Sequence, residues 1–248
     1  MINYEEELKK FHPSMDVNEA EDAIYSRDLT DVTDILKEML KEEKQKKSRG
    51  SIMRCIYCNT PLAAIDYCPG CGADVTLQKR IVRISNLLYN RGLEKASVRD
   101  LSGAITCLKQ SLKFNKENID ARNLLGLCYF ETGEVVSALC EWVISKNLMP
   151  EGNLADHYIS QLQNNKNRLD VINQTIRKYN QSIEYCRQGN EDMAVIQLKK
   201  VISQNPKLVK AYQLLALLYI RNQDYEKARR LLKKAAAVDN TDTTTLRY

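Results

Sequence analysis

Residues 119–152 read IDARNLLGLCYFETGEVVSALCEWVISKNLMPEG, and this stretch decides the fold. Leu125-Gly126-x-x-Tyr129 lies on one helical run and Ala138-x-x-x-Trp142 on the next. Gly133 stands between them, where the chain leaves the first helix and a left-handed residue is wanted. Pro150 closes the unit. Working outward, Gly92, Gly126, Ser182 and Ala216 hold one small-residue position, and Ala104, Ala138, Ala194 and Ala228 hold a second. The spacing is 34 within each pair and 12 from each first position to its second. A fixed period of this length marks a helix–turn–helix unit that buries its apolar face against the next copy. The small residues predict close approach of neighbouring helix backbones at those points.

The unit at 209–242 carries Tyr212, Leu215-Ala216-x-x-Tyr219, Asp224-Tyr225 in its turn and Ala228-x-x-x-Leu232. The unit at 175–208 keeps Tyr185, Gly189, Ala194, Leu198 and Pro206, with Lys178 and Gln181 at usually apolar places. The unit at 85–118 is regular in Leu101, Ala104, Leu108 and Leu112, but has Arg91 and Lys95 where apolar groups are expected. These four units resemble the tetratricopeptide repeat family over 85–152 and 175–242. The resemblance implies a mainly α fold: an α-solenoid whose stacked hairpins form one continuous curved surface, built to hold another chain. Residues 153–174 interrupt it, reading as a short helix around 154–164, a polar Asn-Asn-Lys break and an extension of the next helix. Along that long helix Leu169, Ile172, Ile176, Tyr179, Ile183 and Cys186 alternate spacings of three and four. The stripe is buried in the solenoid or forms a coiled-coil seam.

Residues 52–76 change style. Cys55-Ile-Tyr-Cys58 and Cys68-Pro-Gly-Cys71 are two Cys-x-x-Cys knuckles. A knuckle turns tightly enough for both thiolates to meet one ion, with Gly70 and Gly72 supplying the turn's conformations. Four thiolates complete the closed tetrahedral shell of a structural zinc, which would supply folding energy that so short a segment cannot draw from a core. A rubredoxin-type iron centre uses similar spacing. Two disulfides would require an oxidising compartment, and a redox pair would need a βαβ setting. Cys68-Pro69-Gly70-Cys71-Gly72 resembles the second knuckle of the small bacterial zinc-ribbon family, implying a β-knuckle module that contacts protein or nucleic acid through Arg54, Tyr57, Asp66 and Tyr67.

The chain has 248 residues and a net charge of +5, unevenly placed: residues 1–43 are acidic and the remainder basic. Val32, Ile35, Leu36, Met39 and Leu40 predict a helix within 16–45, followed by the basic run KEEKQKKSRG. No apolar run is long enough to span a membrane, and MINYEEELKK lacks a signal core, which points to the cytoplasm. The organisation expected is 1–50 acidic helical segment and linker, 51–77 zinc ribbon, 78–152 repeats one and two, 153–174 helical insertion, 175–242 repeats three and four, and 243–248 the opening of a capping helix. That last helix is cut short, which predicts a fragment of a longer protein or an end covered by a partner.

In the tetratricopeptide family the first helices of successive repeats line a concave groove. The matching positions are Tyr89, Leu93, Asn123, Leu127, Phe130, Tyr179, Ile183, Arg187, Lys210, Gln213, Leu217 and Arg221. Apolar patches with basic groups at one end suit a peptide or helix bearing apolar and acidic residues, and residues 1–45 of the chain itself have that character. The paired Lys and Asn clamp for heat-shock chaperone tails is absent, since Tyr89, Leu93 and Leu124 occupy its places; a chaperone-associated factor would need another surface. A nucleic-acid-binding regulator using ribbon and solenoid charge is the alternative from another class. Catalysis has no visible apparatus: there is no phosphate loop or nucleophile elbow, His12 and His157 stand alone, and Cys107, Cys128, Cys140 and Cys186 read as small core hydrophobes. A small-molecule substrate is accordingly not expected.

Overall fold

A computed structural model describes residues 2–14, 53–63, 65–164 and 166–248. The helix expected within 16–45 lies outside these residues. The described chain is mainly helical: α1 Tyr4–Leu8, α2 Thr76–Ser97, α3 Leu101–Phe114, α4 Ile119–Glu131, α5 Val135–Leu148, α6 Leu154–Gln163, α7 Lys166–Arg187, α8 Glu191–Gln204, α9 Val209–Arg221, α10 Tyr225–Val238 and α11 Thr243–Arg247. Asp100, Asn118, Asn153, Asn190, Asp224 and Asp242 start α3, α4, α6, α8, α10 and α11, each side chain accepting a hydrogen bond from a first-turn amide. Left-handed residues end the first helices: Arg99, Gly133, Gly189 and Gln223 all have φ between 60° and 79°.

Four hairpins follow, α2–α3, α4–α5, α7–α8 and α9–α10. Within them the small positions face large side chains. A Cβ on Gly92 would meet the Leu108 side chain at 2.8 Å, and one on Gly126 would meet Trp142 Nε1 at 2.3 Å. The close approach expected between backbones is therefore made by the residue sixteen places later on the second helix. Trp142 is fully buried, donates from Nε1 to the Asn123 carbonyl at 3.2 Å, and lies between Phe130 and Tyr158. Cys107 and Cys128 are buried as expected, and Cys186 is half-buried. Cys140 departs from that reading: it is exposed, on the outer side of α5.

The stack does not run on as one surface. α6 packs on α5 through Ala155, Tyr158, Ile159 and Leu162, all buried. It thus occupies the face on which a third hairpin would have stacked. Beyond α6, α7 and α8 begin a second core around Leu198, Val201, Leu215 and Leu218. The two halves lie antiparallel, tip to tip. The α4–α5 turn meets the α8–α9 turn: Val209 N donates to the Thr132 carbonyl at 3.4 Å, and Asn205 Nδ2 to the Gly133 carbonyl at 3.1 Å. Likewise, the start of α3 meets the α10–α11 turn, with Ser102 N donating to Asp239 Oδ2 at 3.0 Å and Thr241 bonded to Asp100. Asn205 and Asp239 are 34 residues apart, so the repeat period also sets the seam. Glu131, almost fully buried, is held there by both Arg99 and Lys207.

Candidate metal centre and peptide-binding surfaces

The four predicted cysteines converge. Their sulfurs lie within 4.8 Å of one another, with Cys55–Cys71 at 3.8 Å and Cys58–Cys68 at 3.4 Å. These separations are far beyond a disulfide and match the edge of a tetrahedron with metal–sulfur bonds of about 2.3 Å. The two knuckles repeat one construction. Asn59 N donates to the Cys55 carbonyl and Cys55 N to the Thr60 carbonyl; Gly72 N donates to Cys68 and Cys68 N to Ala73. Tyr57 N and Gly70 N each point at the first sulfur of their knuckle at 3.4 Å. The short bridges Arg54–Pro61 and Tyr67–Asp74 close the loops. Asn59 and Gly72, each following the second cysteine, have φ of 60° and 70°. Gly70 serves differently: a Cβ there would meet Thr60 Oγ1 at 2.3 Å. The role of Asn59 was missed in the sequence, although Asn is the other residue that tolerates this backbone.

Thr60, its hydroxyl 3.2 Å from Cys58 Sγ and its amide beside it, favours the thiolate and pulls Cys58 down to about 6. Four sulfurs at these separations form a donor set that suits one thiophilic metal ion. Cys55, Cys68 and Val75 form a small buried core with Leu62 against them. The module is fastened to the first turn of α2. Gln78 Nε2 donates to the Arg54 carbonyl at 2.6 Å while its Oε1 accepts from Ile56 N, and Lys79 Nζ donates to the Ala63 and Ile65 carbonyls. Outward, Arg54, Tyr57, Asp66 and Tyr67 are exposed, as are Ile56 and Ile65.

The twelve predicted groove residues separate into two sets. Tyr89, Leu93, Asn123, Leu127 and Phe130 are buried. Residues 2–14 cover the inner side of the first half: Ile2, Tyr4, Leu8 and Phe11 share one core with Tyr89, Leu93, Leu124, Leu127 and Phe130. Asn123 instead bonds to Ser145 of α5 and to Asn153 at the start of α6. In the second set, Tyr179 and Lys210 line a cleft of about 910 Å³ between the two halves. Ile183 and Leu217 are half-buried. Gln213 is engaged by Asp242 and Thr245 at the start of α11. Arg187, Lys210 and Arg221 pair with Glu184, Glu134 and Glu191. The cleft is walled by Phe130, Val135 and Val136 on one side and by Ile172, Ile176 and Tyr179 of α7 on the other. Ile172, Ile176 and Tyr179 of the α7 stripe thus line the cleft while half-buried, Ile172 also packing against the first core and Tyr179 against the second.

A tetratricopeptide repeat family model matches residues 187–245. That span covers the end of α7, all of α8 to α10 and most of α11. No curated protein matches the chain. Among solved structures, a crystal structure of MamA is 20% identical, covering 69% of this chain and 85% of its own, with a TM-score of 0.27. YrrB, described as a TPR protein with an unusual peptide-binding site, is 16% identical, covering 69% of this chain and 94% of its own, with a TM-score of 0.29. Among the described residues, no helix is long and apolar enough to cross a membrane.

Proposed function

We propose that this chain is a non-catalytic protein-interaction adaptor that holds a peptide or helix of another protein. The observation that carries the reading is the cleft between the halves, about 910 Å³ and walled by apolar side chains of α5 and α7. An apolar cleft edged by residues of a stripe with three- and four-residue spacing is a surface suited to an amphipathic helix. Protein is favoured over nucleic acid because the cleft presents apolar side chains, among them Val135, Val136, Ile172 and Ile176, that suit a peptide and offer nothing to a phosphate backbone. We read the chain as cytoplasmic, with repeats one and two at 78–152, three and four at 175–242, and 153–174 as the reversal between them.

Within this reading, Cys55, Cys58, Cys68 and Cys71 hold one structural zinc ion, all four positions being filled by thiolates so that none is left open for chemistry. Metal content by elemental analysis distinguishes zinc from iron. The adaptor reading is tested by capture from native cell extract with the wild-type chain, Ile176→Glu in the cleft, and Val143→Glu on an exposed face of α5. Partners held by the wild type and Val143→Glu should be lost from Ile176→Glu. An identical set from all three would overturn the cleft as the binding surface.

A further inference from the structure

Residues 2–14 make contacts of a kind that a bound peptide makes. α1 has five residues, too few to hold a helix unaided, so its order comes from the surface beneath. Four anchors, Ile2, Tyr4, Leu8 and Phe11, enter the apolar inner side of α2 and α4. The polar clamps read main chain rather than sequence. Tyr89 OH donates to the His12 carbonyl at 3.0 Å, and Asn90 both accepts from Ser14 N at 2.7 Å and donates to its carbonyl at 3.0 Å. Tyr4 OH donates back to the Ala96 carbonyl at 2.9 Å. Charge is matched as well: Arg99 pairs with Glu5 at 2.7 Å and lies over the Tyr4 ring. Glu7 is buried but neutralised within the segment by Lys10. Leu101, Ala104, Leu108 and Trp142 bury between the helices of the hairpins themselves, on the far side of that face. Beside Ile2 and Tyr4, a hollow of about 510 Å³ between Arg99, Glu131 and Lys207 leaves one end of the groove open.

We infer that residues 2–12 are a built-in ligand, and that the inner face of α2 and α4 is a second peptide site. Its partner in trans is a protein segment of the same chemistry: apolar and aromatic anchors spaced as Ile2, Tyr4, Leu8 and Phe11, with a carboxylate after the tyrosine for Arg99. Tyr89 and Asn90 hold the backbone of whichever segment is present. The tethered copy competes at an effective concentration of order millimolar, so a partner enters only when its affinity or local concentration exceeds that. This site goes beyond the cleft reading and fails separately from it, because Ile176→Glu leaves the groove of α2 and α4 untouched.

The test uses the full metal-loaded chain and a fluorescent peptide of residues 2–12. In the Tyr4→Asp, Leu8→Asp chain the tethered copy is disabled, and the peptide should bind about tenfold or more tightly than to the wild type. A peptide carrying Tyr4→Ala and Phe11→Ala should not bind. As a second arm that keeps the wild-type anchors, a protease site placed between residues 40 and 50 is cut in the folded protein. The released segment should then exchange with labelled peptide. A cut segment that neither leaves nor exchanges would make it part of the core and overturn the proposal. Concentration-dependent dimers of the wild type in light scattering would overturn it in favour of exchange between copies.

Discussion

Gly126 lacks a side chain because the Trp142 indole takes the space. Replacing it by alanine tests the repeat's packing rule directly. Alanine gains about 1 kcal/mol in a helix over glycine, but an added methyl at 2.3 Å from Nε1 overpacks a closed site, which commonly costs about 1–3 kcal/mol. Gly126→Ala should therefore lower stability, by up to about 2 kcal/mol net, read as the urea midpoint. The equivalent position in the last repeat is already alanine, with Leu232 sixteen residues on. There Ala216→Gly should also destabilise, by about 1 kcal/mol. Opposite substitutions at one repeat position, both harmful, would show that the partner side chain and not the helix backbone sets the limit. If Gly126→Ala proves neutral, the indole can move and the rule fails. The sequence reading placed these small residues correctly but assigned them to backbone contact; nothing in a repeat period says which atoms of the neighbour come closest.

Among the elements, α2 is a helix whose start depends on a neighbour. Its amino end has no side-chain cap, and its first turn is held instead by Gln78 and Lys79 bonded to carbonyls of the cysteine module. The module has only Cys55, Cys68 and Val75 in its core, so without metal it cannot offset the ordering of its own residues. A strong chelator should raise hydrogen exchange across 54–74 and through 76–80, while α8 to α10 keep their protection. Unchanged exchange in the first turn of α2 would mean that the helix stands without the module. Arg91 and Lys95, which break the apolar pattern of the first repeat, look different in this light. Lys95 bonds the α3 cap, Asp100, so its charge serves the turn, and Arg91 is half-buried.

At the scale of the molecule, the seam between the halves is a contact of turns, and Gly133 is its tightest point. Its φ is +79°, and a Cβ would lie 2.6 Å from the Leu208 backbone. Gly133→Ala therefore combines left-handed strain of about 1–2 kcal/mol with a clash that backbone cannot relieve. The variant should keep its helix content but open at the seam. X-ray scattering should report a larger radius of gyration, and zero-length cross-links from Lys207 and Lys210 to Glu131 and Glu134 should weaken. A wild-type scattering profile would show that the seam is held elsewhere, with Ser102 and Asp239 the next place to examine.

The sequence by itself determined the hairpins, the Gly133 turn, the short helix around 154–164 with its polar break, and the convergence of four cysteines. All of these follow from local rules: apolar period, capping chemistry and ligand spacing act within about forty residues of chain. Tertiary structure alone decided that the solenoid doubles back, that α6 ends the first stack, and that residues 2–14 fill the first groove. Those outcomes depend on which apolar faces compete for burial once helices exist, and several surfaces of similar hydrophobicity were on offer. Tyr89 and Leu127 have the same sequence signature whether they line an open groove or lie beneath Tyr4 and Phe11. Only the three-dimensional sum of buried area chooses between those states.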